Sequence, residues 1–176
     1  MRTEDLVRAE VAAIRAMLEA AFRESGEDDR FTDDDWQHAV GGSHVVADIE
    51  GRIAAHASVV ERRIHVGGRP LRTGYVEAVG TAPELQGTGL GTLVMQDVGA
   101  HIDEHFELGV LGTGLHGFYA RLGWRTWLGP SSVRTADGEQ RTEEEDGYLM
   151  VLPTRSSPSL DLTAPIACEW RPGDLW

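Results

Sequence analysis

The spacing of apolar residues divides the chain into helical and strand-like stretches. Between residues 4 and 24, apolar side chains recur every three or four positions, which is typical of an amphipathic helix. These positions are Val7, Val11, Ile14, Leu18, Ala21 and Phe22. A polar loop follows over residues 25–30. Thr32, with Asp35 three residues later, then predicts a short second helix that begins with a capping box.

From about residue 43 the apolar residues change to a strand-like pattern. We predict a meander of three strands, His44–Ile49, Arg52–Val66 and Leu71–Thr81. Turn residues separate these strands at Glu50-Gly51 and at Gly67-Gly68-Arg69-Pro70, and Pro83 ends the third strand.

Helical spacing returns over Leu90–Phe106. A short apolar strand, Leu108–Leu111, and a helix around Leu115–Leu122 come next. Short strands are predicted in the remainder, at Val133, Leu149–Leu152 and Ile166–Trp170. The order predicts one mixed α/β domain over residues 1–176, with a central, largely antiparallel sheet flanked by helices.

Composition narrows the classes of function. The chain has 176 residues and a formal net charge of −13, which disfavours nucleic-acid binding. Acidity either reflects solubility alone or attracts a polycationic ligand, and composition does not distinguish the two. All 16 basic residues are arginine, so a P-loop lysine and a Schiff-base lysine are excluded. Without an apolar run of about 18 residues, we expect a cytoplasmic protein and no membrane partner.

The single cysteine, Cys168, excludes an internal disulfide and a thiolate cluster for zinc. Its apolar neighbours predict a small buried side chain and not a nucleophile. No metal cofactor is expected.

The loop Gln86-Gly87-Thr88-Gly89-Leu90-Gly91 stands between a predicted strand and a predicted helix. Glycines let the backbone come close to a ligand, and the free N–H groups of a helix N-terminus bind anions. The loop by itself indicates either a phosphate site or an ordinary glycine-rich turn.

Some 25 residues later comes Phe118-Tyr119-Ala120-Arg121-Leu122-Gly123-Trp124. With the glycine loop before it, the chain resembles the GNAT superfamily of N-acetyltransferases, which use acetyl-CoA and release coenzyme A. Other motifs look like the aminoglycoside 2′-N-acetyltransferases within it. They include Gly74-Tyr75-Val76-Glu77, Gly129-Pro130-x-Ser132-Val133 and the ending Trp170-Arg171-x-Gly173-Asp174-x-Trp176.

The resemblance implies roles for particular residues. Glu77 would deprotonate the substrate amine as the general base, and Tyr119 would protonate the leaving thiolate as the general acid. Acetyl-CoA would be held by Val79, Gly80 and Thr81 and by Gln86, Gly87, Thr88, Gly89, Leu90 and Gly91. The polycationic aminoglycoside would contact Asp35, Glu77, Ala78, Gly112, Thr113, Glu145, Asp146, Asp174 and the terminal carboxylate of Trp176. Asp35 as a helix cap and Glu143–Asp146 as a solvated loop remain open alternatives.

Two further patterns have weaker readings. Gly112-Thr113-Gly114-Leu115-His116-Gly117 spells a dinucleotide fingerprint, but no second βαβ half follows it. His101-x-x-Glu104-His105 spells a zinc-hydrolase pattern, which on this helix is more typical of a polar face. His56, on a strand of small apolar residues, is predicted to be a hydrogen-bonded core histidine.

Two alternatives to an aminoglycoside acetyltransferase stay open. A GNAT enzyme could act on another cationic amine, such as a polyamine, an amino sugar or a protein N-terminus. A non-catalytic module could bind acetyl-CoA and signal its level. The tryptophans of the β-rich C-terminal region could supply the face of a homodimer.

Overall fold

The computed structural model describes residues 1–23 and 30–176. The helices are α1 (Arg8–Ala21), α2 (Asp33–Ala39), α3 (Leu90–His105) and α4 (His116–Ala120). The strands are β1 (Ser43–Ile49), β2 (Arg52–Val66), β3 (Arg69–Thr81), β4 (Leu108–Gly112), β5 (Arg125–Thr126), β6 (Ser131–Thr135), β7 (Gly138–Arg141), β8 (Leu149–Pro153) and β9 (Ile166–Glu169). Most of the predicted loop over 25–30 lies outside the described residues.

The strands follow the order β5-β8-β4-β3-β2-β9-β6-β7, with β1 paired to β2. Antiparallel pairs join β1 to β2, β2 to β9, β8 to both β4 and β5, and β6 to β7. Parallel pairs join β3 to β4 and β6 to β9. The prediction of a mixed α/β fold with a largely antiparallel sheet is therefore confirmed.

Contacts divide the chain into two compact units. Unit 1 comprises Met1–Val60 and Val76–Val98, and unit 2 comprises Glu61–Tyr75 and Gly99–Trp176. The long elements β2, β3 and α3 contribute residues to both units. A single functional domain over 1–176 stays a prediction.

The core of unit 1 forms around α1. Ile14, Met17 and Leu18 are buried there together with Trp36 of α2. At Gly80 an added Cβ would lie 2.7 Å from the Leu18 Cδ2 atom, closer than side chains pack. Glycine at this position therefore lets α1 lie directly against the end of β3.

The core of unit 2 is built from strands that bury both faces. Val110, Val151 and Ile166 of β4, β8 and β9 are fully buried, as is Cys168. Burial raises the pKa of the Cys168 thiol, which keeps it protonated. The prediction of a buried cysteine is confirmed, and its lack of a nucleophilic role stays a prediction.

Several element boundaries differ from the sequence-based prediction. The first helix begins at Arg8, because Thr3–Asp5 forms a separate 3₁₀ turn. The third strand begins at Arg69, so Arg69 and Pro70 belong to β3 and not to the turn. The helix predicted around Leu115–Leu122 is shortened to His116–Ala120. In the described part of the chain, no helix is long and apolar enough to cross a membrane.

Candidate active site

The end of β3 carries the predicted base and the predicted donor-binding backbone. Residues Glu77–Thr81 are partly exposed, whereas the preceding Tyr75 and Val76 are buried. Ala78 has a φ of 52°, the left-handed region that side-chain-bearing residues seldom adopt. Ala78 therefore interrupts the regular extended backbone within β3, which continues to Thr81; we call this irregularity the Ala78 break.

The glycine loop over residues 86–91, the predicted anion cradle, turns at two left-handed glycines. Gly87 and Gly89 have φ values of 75° and 95°, and an added Cβ at either would meet nothing within 4 Å. The Thr88 hydroxyl donates to the carbonyl of Leu85, and the Gln86 side chain donates to the carbonyl of Thr81 at 3.4 Å. Since α3 begins at Leu90, the N–H groups of its first turn have no partner within the helix, and such groups can bind an anion.

Asp35 closes the N-terminus of α2. Its Oδ2 atom accepts from the backbone N–H of Thr32 at 2.6 Å and from the Thr32 hydroxyl at 2.8 Å. The Thr32 hydroxyl also accepts from the Asp35 N–H. The predicted capping box is confirmed, while a contact of Asp35 with substrate stays a prediction.

Gly112 and Thr113 lie beside Tyr148. The Thr113 N–H donates to the carbonyl of Tyr148 at 3.1 Å, and the Thr113 hydroxyl accepts from the N–H of Leu115 at 2.9 Å. An added Cβ at Gly112 would come 3.4 Å from the Tyr148 ring. Thr113 thus turns the chain from β4 towards α4.

Tyr119 is buried on α4. Its ring meets those of Phe118 and Trp124 edge-on, with centroids 4.9 and 6.2 Å away. Burial, with the nearby Tyr148, raises the pKa of Tyr119 to about 12. The phenol is therefore protonated at neutral pH, so it holds the proton that the predicted general-acid role requires.

The Asp146 carboxylate binds other residues of unit 2. It pairs with Arg141 at 2.6 Å and accepts from the N–H and the hydroxyl of Ser131, both at 2.8 Å. Chiefly because of Arg141, the pKa of Asp146 is lowered to about 2. A carboxylate with these partners holds the loop in place.

Glu145 has the opposite surroundings. It is half-buried, and its pKa is raised by burial and by the charges of Glu144 and Asp174. Like charges this close repel, and a bound cation would relieve that repulsion. Of the predicted acids, Asp174 is the one whose charge contributes to this rise in the pKa of Glu145.

The C-terminal tail is held by arginines. Arg62 donates to the carbonyl of Leu175 at 2.7 Å, and Arg171 donates to a Trp176 oxygen at 3.4 Å. The Trp176 side chain is buried, and its indole N–H donates to the Thr142 hydroxyl at 3.0 Å. An arginine therefore shares the terminal oxygens that were predicted to bind an ammonium group.

Comparison with known proteins decides the family. Residues 3–127 match the family described as the acetyltransferase (GNAT) domain. The chain belongs to the GNAT acetyltransferases. It is 41% identical over 180 residues to the aminoglycoside 2'-N-acetyltransferase of Mycolicibacterium fortuitum, which covers 100% of this chain and 90% of that protein.

Solved GNAT structures share the fold at lower identity. A GNAT family acetyltransferase from Brucella melitensis, in complex with acetyl-CoA, aligns with a TM-score of 0.62 and 20% identity, covering 92% of this chain and 91% of that one. A GCN5-related N-acetyltransferase from Kribbella flavida aligns with a TM-score of 0.59 and 20% identity over 72% of this chain. The present chain spans 33% of that longer protein.

For a GNAT acetyltransferase, the tail arginines and Thr142 are functional candidates that the sequence reasoning missed. Arg62 lies on β2, more than a hundred residues from the carbonyls it binds. Only the Arg171 of the closing motif could have been found from the sequence, since it stands within the segment that it holds.

The weaker sequence patterns take structural roles. The His105 ring donates from Nδ1 to the His101 carbonyl one turn earlier at 2.9 Å. His56 is fully buried with hydrogen bonds to both ring nitrogens, which confirms its prediction as a core histidine.

Proposed function

We propose that this protein transfers the acetyl group of acetyl-CoA to the 2′-amino group of an aminoglycoside. The observation that carries the proposal is the 41% identity, over the whole chain, to a protein named for that activity. The acids Glu145 and Asp174 support it, since the charge of Asp174 acts on Glu145 and a cationic ligand would relieve that repulsion.

The glycine loop supports acetyl-CoA as the donor. The loop itself contains no basic side chain, so its backbone amides would bind the pyrophosphate there. The left-handed Gly87 and Gly89 leave this backbone open to a ligand. Gln86 braces the loop against Thr81, so the proposed phosphate and pantetheine contacts are joined in unit 1.

The acidic residues divide into two groups in this proposal. Glu145 and Asp174 bind ammonium groups, as their mutual repulsion favours. Asp146 and Asp35 act indirectly, because Arg141 and Thr32 already occupy their carboxylates. The Trp176 carboxylate contributes charge that Arg171 partly offsets.

Acetyl-CoA supplies an activated thioester, and the protein residues manage protons and charge. Glu77 accepts a proton from the substrate ammonium, through water, which frees the amine to attack the carbonyl carbon. The Val79 N–H stabilises the resulting oxyanion. Tyr119 donates its proton to the sulfur as the carbon–sulfur bond breaks. The acetylated nitrogen then loses its second proton, which restores the Tyr119 phenol and leaves a neutral amide and the free thiol.

A matched pair of substrates tests the proposal. Two kanamycin-class aminoglycosides, one with a 2′-amine and one with a 2′-hydroxyl, are incubated with acetyl-CoA while thiol release and product mass are followed. We expect thiol release and a singly acetylated product with the 2′-amine alone. Equal acetylation of both compounds would place the reaction at another amine.

The same acids suit a polyamine, so spermidine belongs in the panel. Turnover with spermidine, and none with the 2′-amino compound, would replace the aminoglycoside by a linear polyamine. Antibiotic resistance is then tested by expressing the protein in a susceptible bacterium, with Glu77→Gln as the inactive control. We place the enzyme in the cytoplasm, where acetyl-CoA is available.

A further inference from the structure

The Ala78 break strains the backbone of β3, and contacts with neighbouring residues must offset that strain. A residue other than glycine is strained in the left-handed region and persists there only where its surroundings enforce it. Ala78 is such a residue, with a φ of 52°, and it separates Glu77 from Val79. Its backbone therefore sets the directions of both the proposed base and the proposed oxyanion donor.

Two buried side chains of β2 hold the carbonyls at this break. The His56 ring nitrogen Nδ1 lies 2.8 Å from the Ala78 carbonyl oxygen, and the Ser58 hydroxyl donates to the Glu77 carbonyl at 3.2 Å. Both side chains are fully buried. Being two residues apart on one strand, they point to the same face.

His56 is itself fixed by a chain of hydrogen bonds. Its Nε2 atom lies 2.8 Å from Nδ1 of His44, and Nε2 of His44 lies 2.7 Å from the Thr3 hydroxyl. The Trp36 ring packs against both imidazoles, with centroids 5.7 and 6.3 Å away. Neither ring can turn without breaking these contacts.

The direction of each hydrogen bond in this series follows from the Ala78 carbonyl, at which the series ends. A carbonyl oxygen only accepts, so Nδ1 of His56 carries the proton and its Nε2 accepts. His44 then donates from Nδ1 and accepts at Nε2 from the Thr3 hydroxyl. Burial lowers the pKa of both histidines to about 4, so both are neutral at physiological pH, as this chain requires.

We propose that His56, held in one tautomer by His44 and Thr3, is a positioning residue that fixes the Ala78 break and thereby orients Glu77 and the Val79 N–H. An apolar side chain of equal size would fill the same space in the core. It would leave the Ala78 carbonyl without this donor, and the break would lose its support. The catalytic part of this inference rests on the proposed acetyl transfer.

The tautomer of His56 and its support of the Ala78 break are tested first, without measuring enzyme activity. Nitrogen-15 NMR of histidine-labelled protein at pH 7.5 should show His44 and His56 as neutral rings protonated at Nδ1. A His56 protonated at Nε2 would overturn the proposal. In His56→Phe, amide exchange at Val79 should accelerate at least about tenfold, because the support of the break is lost. Unchanged exchange would count equally against it.

Kinetics then test the effect on the reaction. We expect His56→Phe to lower kcat by about 10- to 100-fold, with the KM for acetyl-CoA within about twofold of wild type. His56→Asn keeps a donor near the Ala78 carbonyl and should recover part of kcat. Thr3→Val removes the last hydroxyl in this series of hydrogen bonds, farthest from Ala78. It should have a milder effect and lower kcat by about two- to fivefold.

His65 provides the matched control, because it is a buried histidine on the same strand that pairs with Glu169. His65→Asn should leave kcat unchanged while lowering stability. Equal losses of kcat in His56→Phe and His65→Asn would mean a general packing effect and would overturn the proposal. If wild type acetylates no amine, the proposed function fails, and the NMR and exchange results still judge the positioning role.

Discussion

At the scale of single residues, the adjacent carboxylates of Glu145 and Asp146 have opposite pKa shifts. Arg141 and Ser131 saturate Asp146 and lower its pKa, whereas burial and neighbouring acids raise the pKa of Glu145. An arginine-paired carboxylate gains little from a ligand ammonium. A carboxylate in a repulsive field gains more, because the ligand replaces repulsion by attraction.

Glu145→Gln should therefore weaken substrate binding. We expect the KM for the aminoglycoside to rise about tenfold, as for the loss of one charged hydrogen bond, with kcat nearly unchanged. Because the pKa of Glu145 is raised, wild type should show an increase of KM on acidification before an ordinary carboxylate would be protonated. Steady-state kinetics across pH measure both effects, with Glu104→Gln, which changes an exposed carboxylate on α3, as control. An equal KM in both variants would contradict the assignment.

Tyr119→Phe should affect the chemical step. Loss of a proton donor is worth about 100-fold in kcat, and the ring packing against Phe118 and Trp124 is retained. Since the pKa of Tyr119 is about 12, its deprotonation should produce no fall in rate below pH 10. Tyr148→Phe, which removes a hydroxyl from a half-exposed ring, is the control. A wild-type kcat in Tyr119→Phe would exclude the acid role.

At the scale of elements, the glycine loop works through backbone conformation. Gly87 and Gly89 occupy the left-handed region in open space, and we propose that they turn the chain and expose amides. An added methyl group meets no neighbour at either position. The cost of a substitution there is backbone strain alone.

Gly89→Ala should therefore distort the loop and weaken coenzyme A binding. We expect Kd, measured by calorimetry, to rise about tenfold, because about 1–2 kcal/mol of strain shifts the loop away from its binding geometry. Gly68→Ala in the β2–β3 turn is matched, since Gly68 has a φ of 80° and equally open space. Gly68→Ala should lower the stability of the protein by a similar amount and leave its affinity for coenzyme A at the wild-type value. Equal Kd values in the two variants would argue against an anion cradle.

The sequence pattern located most elements because their apolar spacing is regular. The limits of β2 were predicted to the residue, and α3 to within one. Strand β7 was missed, because Gly138–Arg141 is polar and exposed and gains its structure from pairing with β6. The shortening of α4 has a similar origin, since Leu115 is exposed and carries no core contact to extend the helix.

At the scale of the whole molecule, motifs predicted the donor loop and the tail, while long-range contacts were beyond reach. His44 and His56 meet because β1 pairs Val46 with His56 and His44 with Ser58. A one-residue change of register would move one histidine to the other face. Only the folded hairpin therefore reveals this pair.

The buried histidines make stability depend on pH. Their folded pKa of about 4 lies below the ordinary value of 6.5, so the unfolded chain binds more protons between these values. Stability should be greatest above pH 6.5 and fall on acidification towards pH 4. Between pH 7.5 and 5, each histidine should contribute a loss of about 2 kcal/mol in the free energy of unfolding.

Urea unfolding at the two pH values measures this loss. The double variant His44→Gln and His56→Gln removes both titrating groups. The difference in the free energy of unfolding between pH 7.5 and 5 should then shrink by most of the combined loss from the two histidines. An unchanged pH dependence in the double variant would show that other groups are responsible.

The left-handed alanine in β3 also bears on how this protein can evolve. Ala78→Gly relieves backbone strain, so a screen for heat resistance alone would tend to accept it. The same change would loosen the segment between Glu77 and Val79. Selection for turnover and selection for thermal endurance should therefore favour different residues at position 78, and their conflict would be visible in the survivors of each screen.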